Sequence, residues 1–261
     1  MIPISDDNPV LRTPVVTHAL LVANILAWLL IQHAGFDVSR LAASICNLGL
    51  VPGELTGRAP LGTAIAIGPG LVCAVDAEPI NWLTPLTSMF LHGSWGHILG
   101  NCLFLWIFGN NVEDSMGRFR FLVFYLLCGL AAAAAHVASG PASPVPTVGA
   151  SGAISGVLGA YLVLFPRVQV RVLVPIIIFF TVIRVPAFVV LLLWFVFQVI
   201  AGLPALSTVD PDVSGGVAVW AHVGGFVTGV ALVRLFRNPT LIQRRLALDE
   251  ALQPHGTHAR R

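Results

Sequence analysis

Charge is scarce in this chain and lysine is missing altogether. Only 10% of the residues are charged, against about 25% in soluble domains, and all fourteen basic residues are arginines. With a mean hydropathy of +0.87, this excludes an ordinary soluble domain and points to an integral membrane protein. A net charge of +2 gives no ground for a nucleic-acid partner. No run of alternating ten-residue segments is present, which excludes a transmembrane barrel and leaves strands no expected place. The four cysteines have no metal-ligand spacing. Cys102 and Cys128 read as small core residues; Cys46 and Cys73 share one loop and could pair, which the sequence leaves open. A cleavable signal peptide is not expected, because Asp6 and Asp7 make the N-terminus acidic and the apolar run behind them is too long for a signal core.

The charge that is absent also marks where the membrane segments lie. No charged residue occurs from Thr13 to Phe36, Pro79 to Val112, Phe121 to Pro166, Val185 to Val209, or Val213 to Val233. A spanning helix takes about 20 apolar residues. The third window holds two such helices, with PASPVPTVG (141–149) as the turn between them. The expectation is one all-α membrane domain over 1–261, a bundle of six transmembrane helices at about 14–34, 95–112, 119–139, 149–165, 186–204 and 217–235. Residues 236–261 form a tail. Two further apolar segments, 61–75 and 172–183, are too short to span and are expected at the interface. Six spans put both termini on one side. If that side is the cytoplasm, it carries Arg12, Arg118, Arg120, Arg167, Arg171, Arg184 and the arginines of the tail, while the outside keeps only Arg40 and Arg58. This is the positive-inside bias. With no targeting segment in view, a bacterial plasma membrane is the expected location and the lipid bilayer the first partner.

Polar side chains within such helices are costly and therefore informative. Helices two, four and six enter from the outside, and each carries its unusual polar groups near that entry. Helix two has His97 and Asn101, one turn apart on one face. Helix four opens as GASGAISG (149–156), with Ser151 and Ser155. Helix six has His222 in WAHVGGFVTG (220–229). At about 1.5 Å per residue, Asn101 and His222 lie roughly 8–10 Å below their helix starts, with Ser155 at a similar depth and Ser151 shallower. Gly152 and Gly156 are spaced like Gly225 and Gly229, a pattern that lets membrane helices approach closely. If those faces meet, Ser151 reaches His222.

A hydroxyl beside a neutral imidazole is the arrangement for nucleophilic acyl transfer. A carboxylate to orient the histidine is lacking, since every Asp and Glu lies outside the outer-half cores. The expectation is a Ser151–His222 dyad, with Asn101 and His97 donating to the developing oxyanion beside the free amides at the start of helix four. Ser155 is expected to bond back to its own helix, and His18, His33, His92 and His136 to be interfacial. Water would reach the site through a polar cavity open to the outside. Because only a neutral imidazole accepts a proton, activity should fall on acidification.

At these residues the chain resembles the rhomboid family of intramembrane serine proteases, over roughly residues 82–235. GASGAISG resembles the family's serine motif, AHVGGF its histidine motif, and HGSWGHILGN its helix-two motif. The resemblance implies Ser151 as nucleophile, His222 as base, and His97 and Asn101 as oxyanion stabilisers. GNNVEDSMG (109–117) is similar to the family's end of helix two, where Glu113 and Gly117 are structural. NWLTPLTSMF (81–90) departs from the family's Trp-Arg pattern, having Trp82 and no arginine. The resemblance further implies single-pass membrane proteins as substrates, cut in or just outside the outer leaflet, and no metal or cofactor. It also implies a membrane-embedded first loop over 35–94 and a mobile cap over 204–216. Two other classes remain in view. One is a catalytically inactive rhomboid-like protein that binds membrane clients, though such relatives typically lack the serine or the histidine. The other is a small transporter, though no carboxylate or arginine sits mid-span to couple an ion.

Overall fold

The computed structural model describes residues 2–68, 71–76, 80–176, 179–207 and 218–244. Among them, helices occupy the charge-free windows. α1 (Val15–Leu26) runs on through a π turn at Ala27–Ile31. The loop that follows carries α2 (Val38–Leu48) and two single turns, α3 (Pro52–Leu55) and α4 (Thr84–Thr87). α5 (Trp95–Phe104) continues through a π turn at Leu105–Gly109 into α6 (Asn110–Met116). The long helices α7 (Arg118–Ser139), α8 (Ser151–Leu164), α9 (Ala187–Ser207) and α10 (Val219–Phe236) complete the bundle. By length and composition, α7 and α10 can each cross a membrane; Val15–Ile31, Ser151–Leu164 and Ala187–Leu203 are shorter apolar helical stretches.

α8 is the centre of the bundle and is buried along most of its length. Small residues bring its neighbours to backbone contact. A Cβ on Gly225 of α10 would lie 2.0 Å from the carbonyl oxygen of Gly152, and one on Gly229 would lie 2.0 Å from that of Gly156. On the opposite side, a Cβ on Gly156 would lie 2.4 Å from the Cβ of Cys128 in α7. No larger side chain fits between these helices, so the spacing of the glycines sets the distance between α8 and α10.

Strands are present, contrary to the sequence expectation. They are β1 (Ile2–Asp6), β2 (Ala64–Gly68), β3 (Leu71–Ala74), β4 (Gln169–Ile176) and β5 (Phe179–Pro186). β1, β4 and β5 form one antiparallel sheet with β4 in the middle, and β2 pairs with β3. The two short apolar segments thus fold as hairpins. They cannot satisfy their backbone groups as spanning helices, and an antiparallel ladder does so instead. The β-branched residues of β4 alternate as a strand requires: Val170 and Val172 are buried while Arg171 between them is exposed. A Cys46–Cys73 disulfide joins α2 to β3 and answers the pairing left open above. Cys102 and Cys128 are free.

Contacts gather the connections at two opposite ends. At one, Arg171 Nη2 lies 2.8 Å from Asp7, Arg12 pairs with Asp114, and the amide of Asn238 donates to the carbonyl of Ser115 at 2.8 Å. At the other, Leu50 and Thr147 exchange backbone hydrogen bonds, and the amides of Gly53 and Gly149 donate to the carbonyls of Ser143 and Ser88, each at 2.8 Å. Glu113, in the middle of α6, caps α1: its carboxylate accepts from the amides of Val16 and Thr17 and from the Thr17 hydroxyl, at 3.1, 2.8 and 2.8 Å. Pro14, just before α1, provides no side-chain cap, so the first-turn donors of the helix depend on this carboxylate. Gly117 turns the chain from α6 into α7 at φ +85. Most of the expected cap (208–216 of 204–216), the expected first residue of helix six, and the tail from 245 lie outside the described residues.

Candidate active site

Ser151 is the first residue of α8, and Ala150 before it provides no side-chain cap. The first amides of the helix are therefore left without a side-chain acceptor. His222 lies near the start of α10 and is buried. The Ser151 Oγ and the His222 Nε2 are 2.7 Å apart. The glycine contacts lie directly below this pair, between Gly152 and Gly225. Local packing of two glycine-rich helix starts is thus what brings the hydroxyl to the imidazole.

The second ring nitrogen has a partner that the sequence reading missed. His222 Nδ1 is 2.8 Å from the Oε1 of Gln198 on α9. One turn earlier on the same helix, the Trp194 ring lies 5.8 Å from the imidazole, tilted by 39°. If the hydroxyl donates to Nε2, the ring proton is on Nδ1 and must itself be donated, and an amide oxygen accepts it. The signal was available: Gln198 lies inside the charge-free window 185–209, and a polar side chain there is as unusual as those on helices two, four and six.

Asn101 and His97 lie one turn apart on α5. Asn101 is buried, and its Nδ2 has no hydrogen-bond partner among the described residues. A buried amide donor left unmatched costs about 1–3 kcal/mol. Ser94 caps α5 by accepting from the His97 amide at 3.2 Å, and the Gly93 amide donates to His97 Nδ1 at 3.4 Å. The other ring nitrogen meets the chain just before the serine. A Cβ on Gly149 would stand 2.6 Å from His97 Nε2 and 3.4 Å from Ser151 Oγ, and Gly149 itself has φ +132. Only glycine satisfies both the backbone conformation and the close approach. Ser155 donates to the Ser151 carbonyl at 2.6 Å, a back-bond within its own helix.

One of the histidines expected at the interface, His92, has an interior position. His92 is fully buried and packs edge-on against His97 with 5.1 Å between ring centres. Gln32 holds its backbone from both sides, at 2.8 and 2.7 Å. Burial first, and then the neighbouring His97, lower the His92 pKa to about 3. His136 Nε2 is 2.8 Å from the Thr147 hydroxyl and so ties the end of α7 to the segment entering α8. The loop containing α2 to α4 folds over this end of the bundle and covers His92, while His136 stays half-buried. His18 stacks on Trp106 at 5.5 Å, and His33 occupies a positive-φ turn after α1. Trp82, in the stretch that departs from the family pattern, is 70% exposed; Ser88 in that same stretch anchors Gly149.

A serine and a histidine joined across two helix starts, with the His97 ring against the chain just before the serine, make a candidate serine-hydrolase centre within an apolar helical bundle. The Rhomboid domain family model matches residues 79–239, and the chain belongs to the rhomboid family of integral membrane proteins. Rhomboid protease GluP of Bacillus subtilis is 44% identical over 81 residues, 31% of this chain and 15% of the relative. Rhomboid protease AarA of Providencia stuartii is 38% identical over 52 residues, 20% of this chain and 18% of the relative. Rhomboid protein 1, mitochondrial, of Saccharomyces cerevisiae is 28% identical over 155 residues, 55% of this chain and 38% of the relative. The chain thus spans less than two fifths of the length of these relatives.

Proposed function

We propose that this protein is an intramembrane serine protease that cuts single-pass membrane proteins in or near the outer leaflet. The observation that carries the reading is the 2.7 Å contact between Ser151 Oγ and His222 Nε2. In the proposed reaction His222 takes the Ser151 proton as the oxygen attacks the scissile carbonyl. The negative oxygen of the tetrahedral intermediate is met by Asn101 Nδ2, by the His97 ring and by the first amides of α8. His222 then passes its proton to the leaving amine, and a water repeats the sequence to release the acyl group. The unmatched Asn101 amide supports this role, since a donor without a partner at rest is available when the oxyanion forms. A substrate helix must unwind locally to present its carbonyl, because an intact helix keeps its peptide groups in hydrogen bonds. Helix-destabilising residues in the substrate should therefore favour cleavage.

The same reading has six spans with both termini in the cytoplasm of a bacterial cell. The alternation of the connections between two ends, the arginine bias, and a disulfide in the loop assigned to the outside all support it. The test is labelling of the purified protein by a fluorophosphonate. The expected result is one label per chain, absent in Ser151→Ala and strongly slowed in His222→Ala. Equal labelling of Ser151→Ala would overturn the assignment of the nucleophile.

A further inference from the structure

We infer that Gln198 is a positioning residue for the base: its side-chain oxygen holds the Nδ1 proton of His222, and Trp194 on the same helix face supports the ring. The inference rests on the dyad reading above. At about 1.5 Å per residue, Gln198 lies roughly 16 Å along α9 from Ala187. That carries it from the end where β5 closes to the level of the serine. Its Oε1 is 2.8 Å from Nδ1, on the far side of the ring from Ser151. The three side chains form one directed chain, in which the Ser151 hydroxyl donates to Nε2 and the Nδ1 proton is donated to the amide oxygen. The reverse tautomer would place a lone pair at Nδ1 against the lone pairs of Oε1 and would leave Nε2 donating to the hydroxyl oxygen, with no lone pair to take its proton. Gln198 therefore selects the tautomer in which the nitrogen facing the nucleophile is basic.

An amide also suits this place better than a carboxylate. It orients the ring without adding a charge that would stabilise the imidazolium within an apolar bundle. Trp194 and Gln198 are one turn apart on α9, so a single helix face contributes both the hydrogen bond and the ring contact. α9 is thereby coupled to the chemistry: displacement of its outer half would remove the acceptor and the ring contact together.

The experiment measures cleavage of a fluorescent single-pass substrate across pH by the full-length protein in detergent, with wild type, Ser151→Ala, Gln198→Leu and Gln198→Glu side by side. The titratable side chains acting on His222 are His97 from α5 and His136 from α7, and both remain in every variant. Gln198→Leu should lower the plateau kcat roughly tenfold with KM little changed, the loss of about one hydrogen bond that orients the base. Gln198→Glu keeps the size and the acceptor, so its plateau should stay near wild type. Its carboxylate favours the protonated ring, which should move the acid limb of the profile to higher pH by about one unit or more. Full kcat in Gln198→Leu, or an unmoved acid limb in Gln198→Glu, would overturn the role. If Gln198→Leu does not fold, the limb of the isosteric Gln198→Glu decides. Inactivity of wild type, or cleavage by Ser151→Ala, would instead overturn the dyad reading on which the role rests.

Discussion

Replacing Gly225 by alanine tests the packing that joins the two halves of the site. The added Cβ would lie 2.0 Å from the Gly152 carbonyl oxygen, and real Cβ atoms essentially never come within 3.0 Å of a neighbour. The obstacle is backbone on a rigid helix, so α8 and α10 must separate by at least about 1 Å. Gly152 directly follows Ser151, and Gly225 is one turn below His222, so the separation acts on the 2.7 Å contact almost undiminished. It becomes longer than about 3.5 Å and ceases to be a hydrogen bond. Overpacking of this kind costs about 1–3 kcal/mol of stability, and a misplacement of about 1 Å between reacting groups costs on the order of a hundredfold in rate. The assay is thermal unfolding in detergent together with cleavage of a model substrate. Gly100→Ala is the control, because a Cβ there meets nothing within 4 Å; it should be neutral or slightly stabilising in α5. If Gly225→Ala unfolds and cleaves as wild type does, the helix contact does not set the geometry of the site.

Three further outcomes are expected. The cleavage rate should fall on acidification, because the imidazolium of His222 cannot accept the serine proton; activity is present above the pKa of the ring and lost below it, and a rate flat down to strongly acidic pH would contradict the role of His222. Denatured but unreduced protein should take up two maleimides per chain, on Cys102 and Cys128, and four after reduction; four before reduction would argue against the Cys46–Cys73 bridge. Glu113→Ala should lower thermal stability by about 3 kcal/mol or more, since it strips α1 of a buried carboxylate that accepts three hydrogen bonds; an unchanged melting temperature would argue against the cap.

Much of the helical layout could be read from sequence because the membrane restricts backbone and charge so severely. A stretch such as 121–166 has few alternatives to paired helices once PASPVPTVG supplies the turn. Ser151 and His222 stood out because hydroxyl and imidazole groups are rare near helix starts in such a chain, and because the glycines at 152, 156, 225 and 229 implied a common contact. Gln198 did not stand out: helix five runs the other way, so its polar residue lies far from the entry end, where the depth comparison was made. The β4–β5 hairpin was hidden because a short apolar run fits either an interfacial segment or a strand until the alternation at Val170, Arg171 and Val172 is weighted. The disulfide and the burial of His92 depend on how the loop from α2 to α4 folds back over the bundle. That contact joins distant segments, Leu50 with Thr147 and Gly53 with Ser143, and no local pattern encodes it.

The most direct test of the central proposal is cleavage of a model single-pass substrate by the purified protein in detergent, with Ser151→Ala and His222→Ala beside wild type. The account predicts cleavage by wild type that is abolished in the first variant and reduced by about two orders of magnitude or more in the second. Cleavage that survives in Ser151→Ala at the wild-type rate would contradict it.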